Sequence, residues 1–174
     1  TVILGIAEEA CHFTGCHMSA IYTFNNQEKR LRLNVAMDRD GTIDLEEELS
    51  LRDSSLGYAV QNMRQIEVFD LPKTEEHHLV FYTQEVGLSS MLVTPLIHGE
   101  QIIGVLTVYT LSPHRFTNDE RNVFQTLARM GAIAIQNARL YRRVFETEST
   151  LRQSEKMNTL GLLVAEIAHE IRNP

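Results

Sequence analysis

The sequence predicts an α+β fold: an antiparallel central sheet flanked by helices, with a long helix at its C-terminal end. Three observations carry this. Residues 18–37 and 91–109 each contain two β-rich apolar runs separated by turn chemistry, the pattern of a hairpin. Residues 2–13 carry Ile3, Ile6, Ala7, Ala10 and Cys11 at three- and four-residue spacing around Glu8 and Glu9, the pattern of an amphipathic helix. From Thr117 to Asn173 no proline interrupts a second helical pattern.

The elements follow in order. After the opening helix, residues 18–24 alternate, Asn25, Asn26 and Gln27 supply a turn, and Leu31, Leu33, Val35 and Met37 alternate with Arg32, Asn34 and Ala36, giving a hairpin with one buried face. Residues 38–53 are polar, with Gly41 and the run Glu46-Glu47-Glu48, so they read as a loop with at most a short strand around 45–51 and a solvated acidic edge. Ser54 and Ser55 offer a cap for a short helix over 56–63. A strand over 65–69, a turn at Leu71-Pro72 and a second short helix over 74–82 come next. The runs 91–97 and 102–109, joined by His98-Gly99-Glu100-Gln101, make the central hairpin. Thr117 with Glu120 forms a capping-box pattern, and Val123, Leu127, Met130, Ile133, Ile135 and Leu140 keep helical spacing behind it.

Composition narrows the function classes. The chain has 174 residues, 43% of them apolar and 22% charged, which suits one packed domain and a short appendage. Sixteen basic against 23 acidic residues give a net charge of −7, opposing accumulation on nucleic acid or on an anionic membrane face. Cys11 and Cys16 have neither CxxC spacing nor a second pair, so the reading is a reducing, cytoplasmic setting without a zinc ribbon or disulfide framework. No run of 18 apolar residues and no signal peptide is present, and no membrane contact is expected within these residues. The chain starts without Met and stops inside a helical pattern, so it reads as a piece of a longer parent, in which a membrane anchor elsewhere is compatible with these features.

Residues 90–140 carry Val93-x-Pro95-Leu96, Gly99, Ile103-Gly104-Val105-Leu106-x-Val108, Phe116-Thr117-x-x-Glu120, Leu127-Ala128, Ala132-x-Ala134-Ile135 and Asn137-Ala138-Arg139-Leu140. With the upstream hairpin and short helices, this pattern resembles the GAF domain family over residues 1–141. The resemblance implies a module that holds a small molecule or cofactor between the sheet and the short helices. It leaves the ligand unknown. Phe116, Asp119 and Glu120 match part of a longer signature of cyclic-nucleotide-binding members, but the Asn-Lys pair that precedes it there is missing. Tyr22, Phe69, Phe81, Tyr82 and Met91 are the candidate lining of a closed, mostly apolar pocket, because they fall where the sheet and the short helices should meet; ordinary core packing of these side chains is the alternative. His77 and His78 fall on the short helix that would cover the pocket; they read first as helix histidines, with ligation of haem iron or another metal as the alternative. A redox pair at Cys11 and Cys16 is disfavoured because Cys11 falls on an apolar helix face. An enzyme of the free methionine sulfoxide reductase type, which works through cysteines at the pocket rim, is disfavoured because both cysteines sit in or just after the first helix.

The tail carries the sharper signal. Residues 151–174, with Lys156-Met157-x-x-Leu160-Gly161-x-Leu163-x-Ala165-x-Ile167-Ala168-His169-Glu170-Ile171-Arg172-Asn173-Pro174, resemble the H-box of sensor histidine kinases almost position for position. Leu160, Val164, Ile167 and Ile171 recur at four, three and four residues and build one apolar stripe, with His169 two residues from both Ile167 and Ile171. By this resemblance His169 is the phosphoacceptor, Glu170 the general base that takes the other ring proton, and Asn173 the residue that places water for dephosphorylation. A helix-end His-Glu pair closed by Pro174 is the plainer alternative.

The combined expectation is a sensory domain over 1–141, a helical linker over 142–156 and the start of the phosphoacceptor helix over 157–174. The activity implied is that of a histidine protein kinase in the parent. ATP and Mg would bind outside these residues, so this piece alone should be inactive. The partners implied are a second copy through the C-terminal helix, a response regulator receiver domain and a small-molecule ligand. Leu140, Val144, Thr147 and Leu151 form one seam and the stripe from Leu160 another, out of heptad phase. Ligand occupancy is expected to bias the register of a dimeric helix. The competing expectation is a GAF module of a regulator that is not a kinase.

Overall fold

The computed structural model describes residues 1–13, 15–52, 54–74 and 82–172; of Tyr82 it describes the backbone alone. The chain divides into two units, Thr1–Gln136 and Asn137–Pro174.

In the first unit, α1 (Val2–His12) opens with the Thr1 hydroxyl accepting the Leu4 amide at 3.4 Å. Strands β1 (Met18–Asn25) and β2 (Arg30–Asp38) form the first hairpin. Two short strands follow, β3 (Gly41–Thr42) and β4 (Glu48–Ser50), where the sequence suggested a loop with one strand at most. Both pair with β2. Helix α2 (Ser55–Asn62) has its N-terminus capped by the Ser54 hydroxyl, which accepts the Gly57 amide at 3.0 Å. Strand β5 (Ile66–Val68) leads to a 3-10 turn at Leu71–Lys73, and a π-helical turn spans Tyr82–Val86. Most of the helix expected over 74–82 lies outside the described residues. Strands β6 (Ser90–His98) and β7 (Gln101–Thr110) make the central hairpin.

The described strands form one seven-stranded antiparallel sheet in the order β3-β2-β1-β7-β6-β5, with β4 beside β2, so the expected α+β architecture is present. Alternation along the strands divides the core between the two faces. Met18, Ala20, Tyr22 and Phe24 of β1 pack with Val105 and Tyr109 of β7, Met91 and Val93 of β6, and Leu56, Ala59 and Val60 of α2. Ile21, Leu92, Leu96, Leu106 and Val108 point the other way, onto Ile6, Ala7, Ala10 and Cys11 of α1 and Phe124, Ala128, Ala132 and Ile135 of the long helix α3 (Asn118–Arg172).

The start of α3 is closed by a reciprocal capping box. Thr117 Oγ1 accepts the Glu120 amide at 3.2 Å, while Glu120 Oε2 accepts the Thr117 amide at 2.8 Å. The same carboxylate oxygen lies 2.8 Å from His114 Nε2. Phe124, Ala128, Gly131, Ala132 and Ile135 are the buried stripe of this helix, and Phe124 meets Phe13 and Phe116 edge-on at 5.3 and 6.2 Å.

In the second unit α3 continues to Arg172, and every described residue from 141 onward is exposed. The stripe is exposed too: Leu160 55%, Val164 58%, Ile167 57% and Ile171 76%. Among the described residues no helix is long and apolar enough to cross a membrane.

Candidate functional site

The first candidate region is the face of the sheet under α2. Its central strands are fixed by a close approach at Gly104, where a Cβ would run into the carbonyl of Tyr22. Only glycine allows β7 to pair so tightly with β1 at that point. Tyr22 and Met91 are both fully buried there, in one cluster with Tyr109, Val93, Val105 and Leu88. Two of the sequence candidates are thus brought together.

Tyr22 Oη donates to Glu47 Oε2 at 3.1 Å. Burial pushes the Tyr22 phenol well above its usual pKa, and the neighbouring Tyr109 and Glu47 add to the shift, so the hydroxyl stays a neutral donor. Glu47 is held in place by its own backbone, whose carbonyl accepts the Leu33 amide at 2.8 Å. Sequence reading placed Glu47 in a solvated acidic run. Its position shows more: Ile43, Leu45, Leu49 and Leu51 all pack on this cluster, and Glu47 occupies the alternate position between them. A glutamate standing in an apolar register of period two was the available signal. An open cleft of about 640 Å³ adjoins it, lined by Arg32, Leu33, Asn34, Leu45 and the three glutamates 46–48.

Phe69 is placed elsewhere. It belongs to neither core cluster, is 36% exposed, and lies under the Arg115 guanidinium at 3.9 Å from the ring centre. Strand parity explains this: Ile66 and Val68 face the cluster, so the next residue along points away. His77, His78 and Phe81 lie outside the described residues, as does the side chain of Tyr82.

Cys11 and Cys16 are buried, and Cys11 Sγ lies 3.3 Å from the His17 carbonyl. Burial pushes the Cys11 thiol up to about 11, helped by Asp38, and the Cys16 thiol up to about 12, helped by Cys11 and Glu120. Such thiols are poor nucleophiles at neutral pH.

The second candidate region is the C-terminal part of α3. His169 and Glu170 are exposed on a continuous helix, and Asn173 lies outside the described residues. At about 100° per residue, His169 sits about 160° around the helix from both Ile167 and Ile171. The imidazole is therefore directed away from the apolar stripe and is accessible to a second macromolecule.

Comparison with known proteins bears on the first unit. Residues 1–136 match the family model described as GAF domain. The fold is similar to the GAF domain of a two-component sensor histidine kinase from Bacillus halodurans, at 17% identity and a TM-score of 0.67 over 80% of this chain and 95% of that one. It is also similar to the GAF domain of a phosphoenolpyruvate-protein phosphotransferase from Acinetobacter, at 16% identity and a TM-score of 0.66 over 81% of this chain and 84% of that one. A free methionine-R-sulfoxide reductase from Neisseria meningitidis in complex with its substrate gives 17% identity and a TM-score of 0.63 over 81% of each chain. No curated protein sequence matches the chain.

Proposed function

This chain belongs to the GAF domain family, and from that premise we propose that it is the sensing and dimerising part of a sensor histidine kinase, with His169 as phosphoacceptor. One observation carries the reading: α3 is unbroken from Asn118 to Arg172, over the described part of the H-box-like sequence, and His169 on it is exposed. The similarity to a sensor-kinase GAF domain is in keeping with it.

The chemistry required of His169 is simple. One ring nitrogen attacks the γ-phosphorus of ATP, a nitrogen–phosphorus bond forms, and the bond to the bridging oxygen breaks with its electron pair leaving on ADP. Glu170, its neighbour in sequence, takes the proton from the other ring nitrogen. ATP and Mg are held by a catalytic domain beyond these residues, and the phosphoryl group passes to a response regulator receiver domain. The exposed stripe Leu160, Val164, Ile167 and Ile171 suits a second copy of the helix, because each side chain gains roughly 1.5–3 kcal/mol on burial.

The similarity to GAF domains of other protein classes favours one alternative, a ligand-binding module of a regulator that is not a kinase. The experiment that separates the two uses the full-length polypeptide with labelled ATP. Wild type should acquire acid-labile phosphate and His169→Ala none, with the GAF domain still folded. Glu170→Gln should slow the reaction roughly 10²–10⁴-fold. Acid-labile label persisting on His169→Ala refutes the assignment; a Glu170→Gln rate equal to wild type leaves that residue a surface carboxylate.

A further inference from the structure

Strand β5 is three residues long, and its two sides do different work. Ile66 and Val68 pack into the cluster beneath α2, on the face where the GAF resemblance implies a ligand is held. Gln65 and Glu67, on the opposite parity, grip the start of α3. Glu67 Oε1 accepts the Phe116 amide at 2.7 Å, the residue just before the capping box. Its other oxygen faces Arg121 Nη2 at 3.3 Å and Arg115 Nη1 at 3.4 Å, and only 14% of the Glu67 side chain is exposed. Gln65 completes the grip: its Nε2 donates to the Arg121 carbonyl and to Thr94 Oγ1, both at 3.0 Å, and its Oε1 accepts from Gln125 Nε2 at 3.1 Å. Arg121 closes the loop by donating from Nε to the Phe116 carbonyl at 3.3 Å.

Two features make this more than ordinary packing. Both clasping side chains converge on one residue, Arg121, held at its guanidinium by Glu67 and at its carbonyl by Gln65. Both also belong to a segment joined to α2 by only Met63 and Arg64, with Met63 in the left-handed region at φ 52°. A displacement of the cluster side of β5 therefore carries Glu67, on the same three-residue strand, and the adjoining Gln65 with it. Charge-assisted hydrogen bonds of this length weaken steeply within an ångström, so a small shift on one side becomes a change in how firmly the first turn of α3 is held. We infer that β5 is the coupling element that passes the state of the ligand-side core to the N-terminal turn of α3, through Glu67 and Gln65 acting on Arg121. The inference rests on the proposed function only for the direction of the signal.

The test needs neither ligand nor kinase activity. It is a double-mutant cycle read by amide hydrogen exchange on this chain. Val68→Ala trims β5 on the cluster side alone; Gln65→Ala with Glu67→Gln loosens the grip on the α3 side. Amides at Ala20 and Leu106, in the centre of the sheet, report global opening, and all rates are normalised to them. Val68→Ala should speed exchange at Phe116 and Arg121 about tenfold or more, the factor that corresponds to losing one charge-assisted hydrogen bond. In the Gln65→Ala, Glu67→Gln background the same substitution should add nothing further at those two amides. Ile66→Val replaces Val68→Ala in the cycle if the latter does not fold. Equal increments in both backgrounds, or no increment at Phe116 and Arg121 in the first, overturn the inference. A non-additive cycle alongside failed His169 phosphorylation keeps the coupling and removes only the kinase as its output. An additive cycle with intact phosphorylation removes the coupling alone.

Discussion

Gly104→Ala tests the sheet at its tightest point. A Cβ built at this position runs into the Tyr22 carbonyl oxygen, 3.0 Å from the Tyr22 carbonyl carbon and 3.1 Å from Thr23 Cα. All of these are backbone atoms, so no rotamer change relieves the contact. Strand β1 is paired on both flanks, with β2 and β7, so it can retreat only by stretching ladder bonds around Tyr22↔Val105 and Thr23↔Gly104. Overpacking of about 1–3 kcal/mol and the weakening of two ladder bonds of about 1 kcal/mol each place the cost near 4 kcal/mol. Against a typical total of about 5–15 kcal/mol that is a severe loss.

Gly131→Ala supplies the contrast. Its Cβ would lie 3.3 Å from Leu96 Cδ2, the far end of a side chain, and the helix gains about 1 kcal/mol from replacing glycine. The two effects nearly cancel, so this variant should stay within about 1 kcal/mol of wild type. Urea unfolding followed by tyrosine fluorescence is the assay. The chain has no tryptophan, and the buried Tyr22 and Tyr109 report the sheet itself. A Gly104→Ala cost below about 1 kcal/mol, or an equal cost at both sites, refutes the reasoning from backbone contact.

Two other outcomes follow from burial and exposure. Because the folded-state pKa values of Cys11 and Cys16 are raised from 9.0 to about 11 and about 12, the folded chain keeps protons that the unfolded chain has released above pH 9. Their contribution is fully present below pH 9 and is lost as the pH rises from 9 toward about 11 for Cys11 and about 12 for Cys16, by at most about 1.4 kcal/mol per pH unit for each thiol. Urea midpoints across that range should fall less steeply in the Cys11→Ala, Cys16→Ala variant; an identical slope removes the thiols as the cause. Sedimentation equilibrium should find the 174-residue chain self-associating and a chain ending at Tyr141 less so. Monomers in both cases at high micromolar concentration exclude the helix as the dimerising element.

Local chemistry made much of the fold legible. Alternation gave β1, β2, β6 and β7 because each has a distinct partner on each face, and Thr117 with Glu120 announced the start of α3 because a capping box is a contact between near neighbours. Residues 38–53 were harder, since Gly41 and three consecutive glutamates hide an alternation that Glu47 interrupts with a charge. Tyr22, Phe69 and Met91 share one expectation, a lining where the sheet and the short helices meet; Tyr22 and Met91 are buried in the cluster beneath α2, whereas strand parity directs Phe69 to Arg115. The Glu67 and Arg121 pair leaves no local trace. It joins residues from different elements, and only the three-dimensional path of β5 past the base of α3 brings them together.

The two faces of the sheet are covered by elements of different length, and this bears on where a signal can enter. One face is covered by α1 and the start of α3, and Ser19 Oγ donates to the Ala7 carbonyl at 2.6 Å inside a layer of Cys, Ala, Ile, Leu and Phe side chains. Among the described residues the other is covered by an eight-residue helix, by Leu71 and Leu88, and by the strap from Ile43 to Leu51, whose apolar side chains are only partly buried. Short elements with few buried contacts open at lower free energy than long packed helices. The strap side also holds the Tyr22 hydroxyl with the Glu47 carboxylate above it, polar groups whose burial costs free energy unless they stay hydrogen-bonded. A ligand that supplied hydrogen bonds there would move α2 and the strap before it disturbed α1. Strand β5 comes next after α2 in the chain and bonds to the segment that opens α3, so under the coupling we infer a displacement of α2 would reach the N-terminal turn of α3 through Glu67.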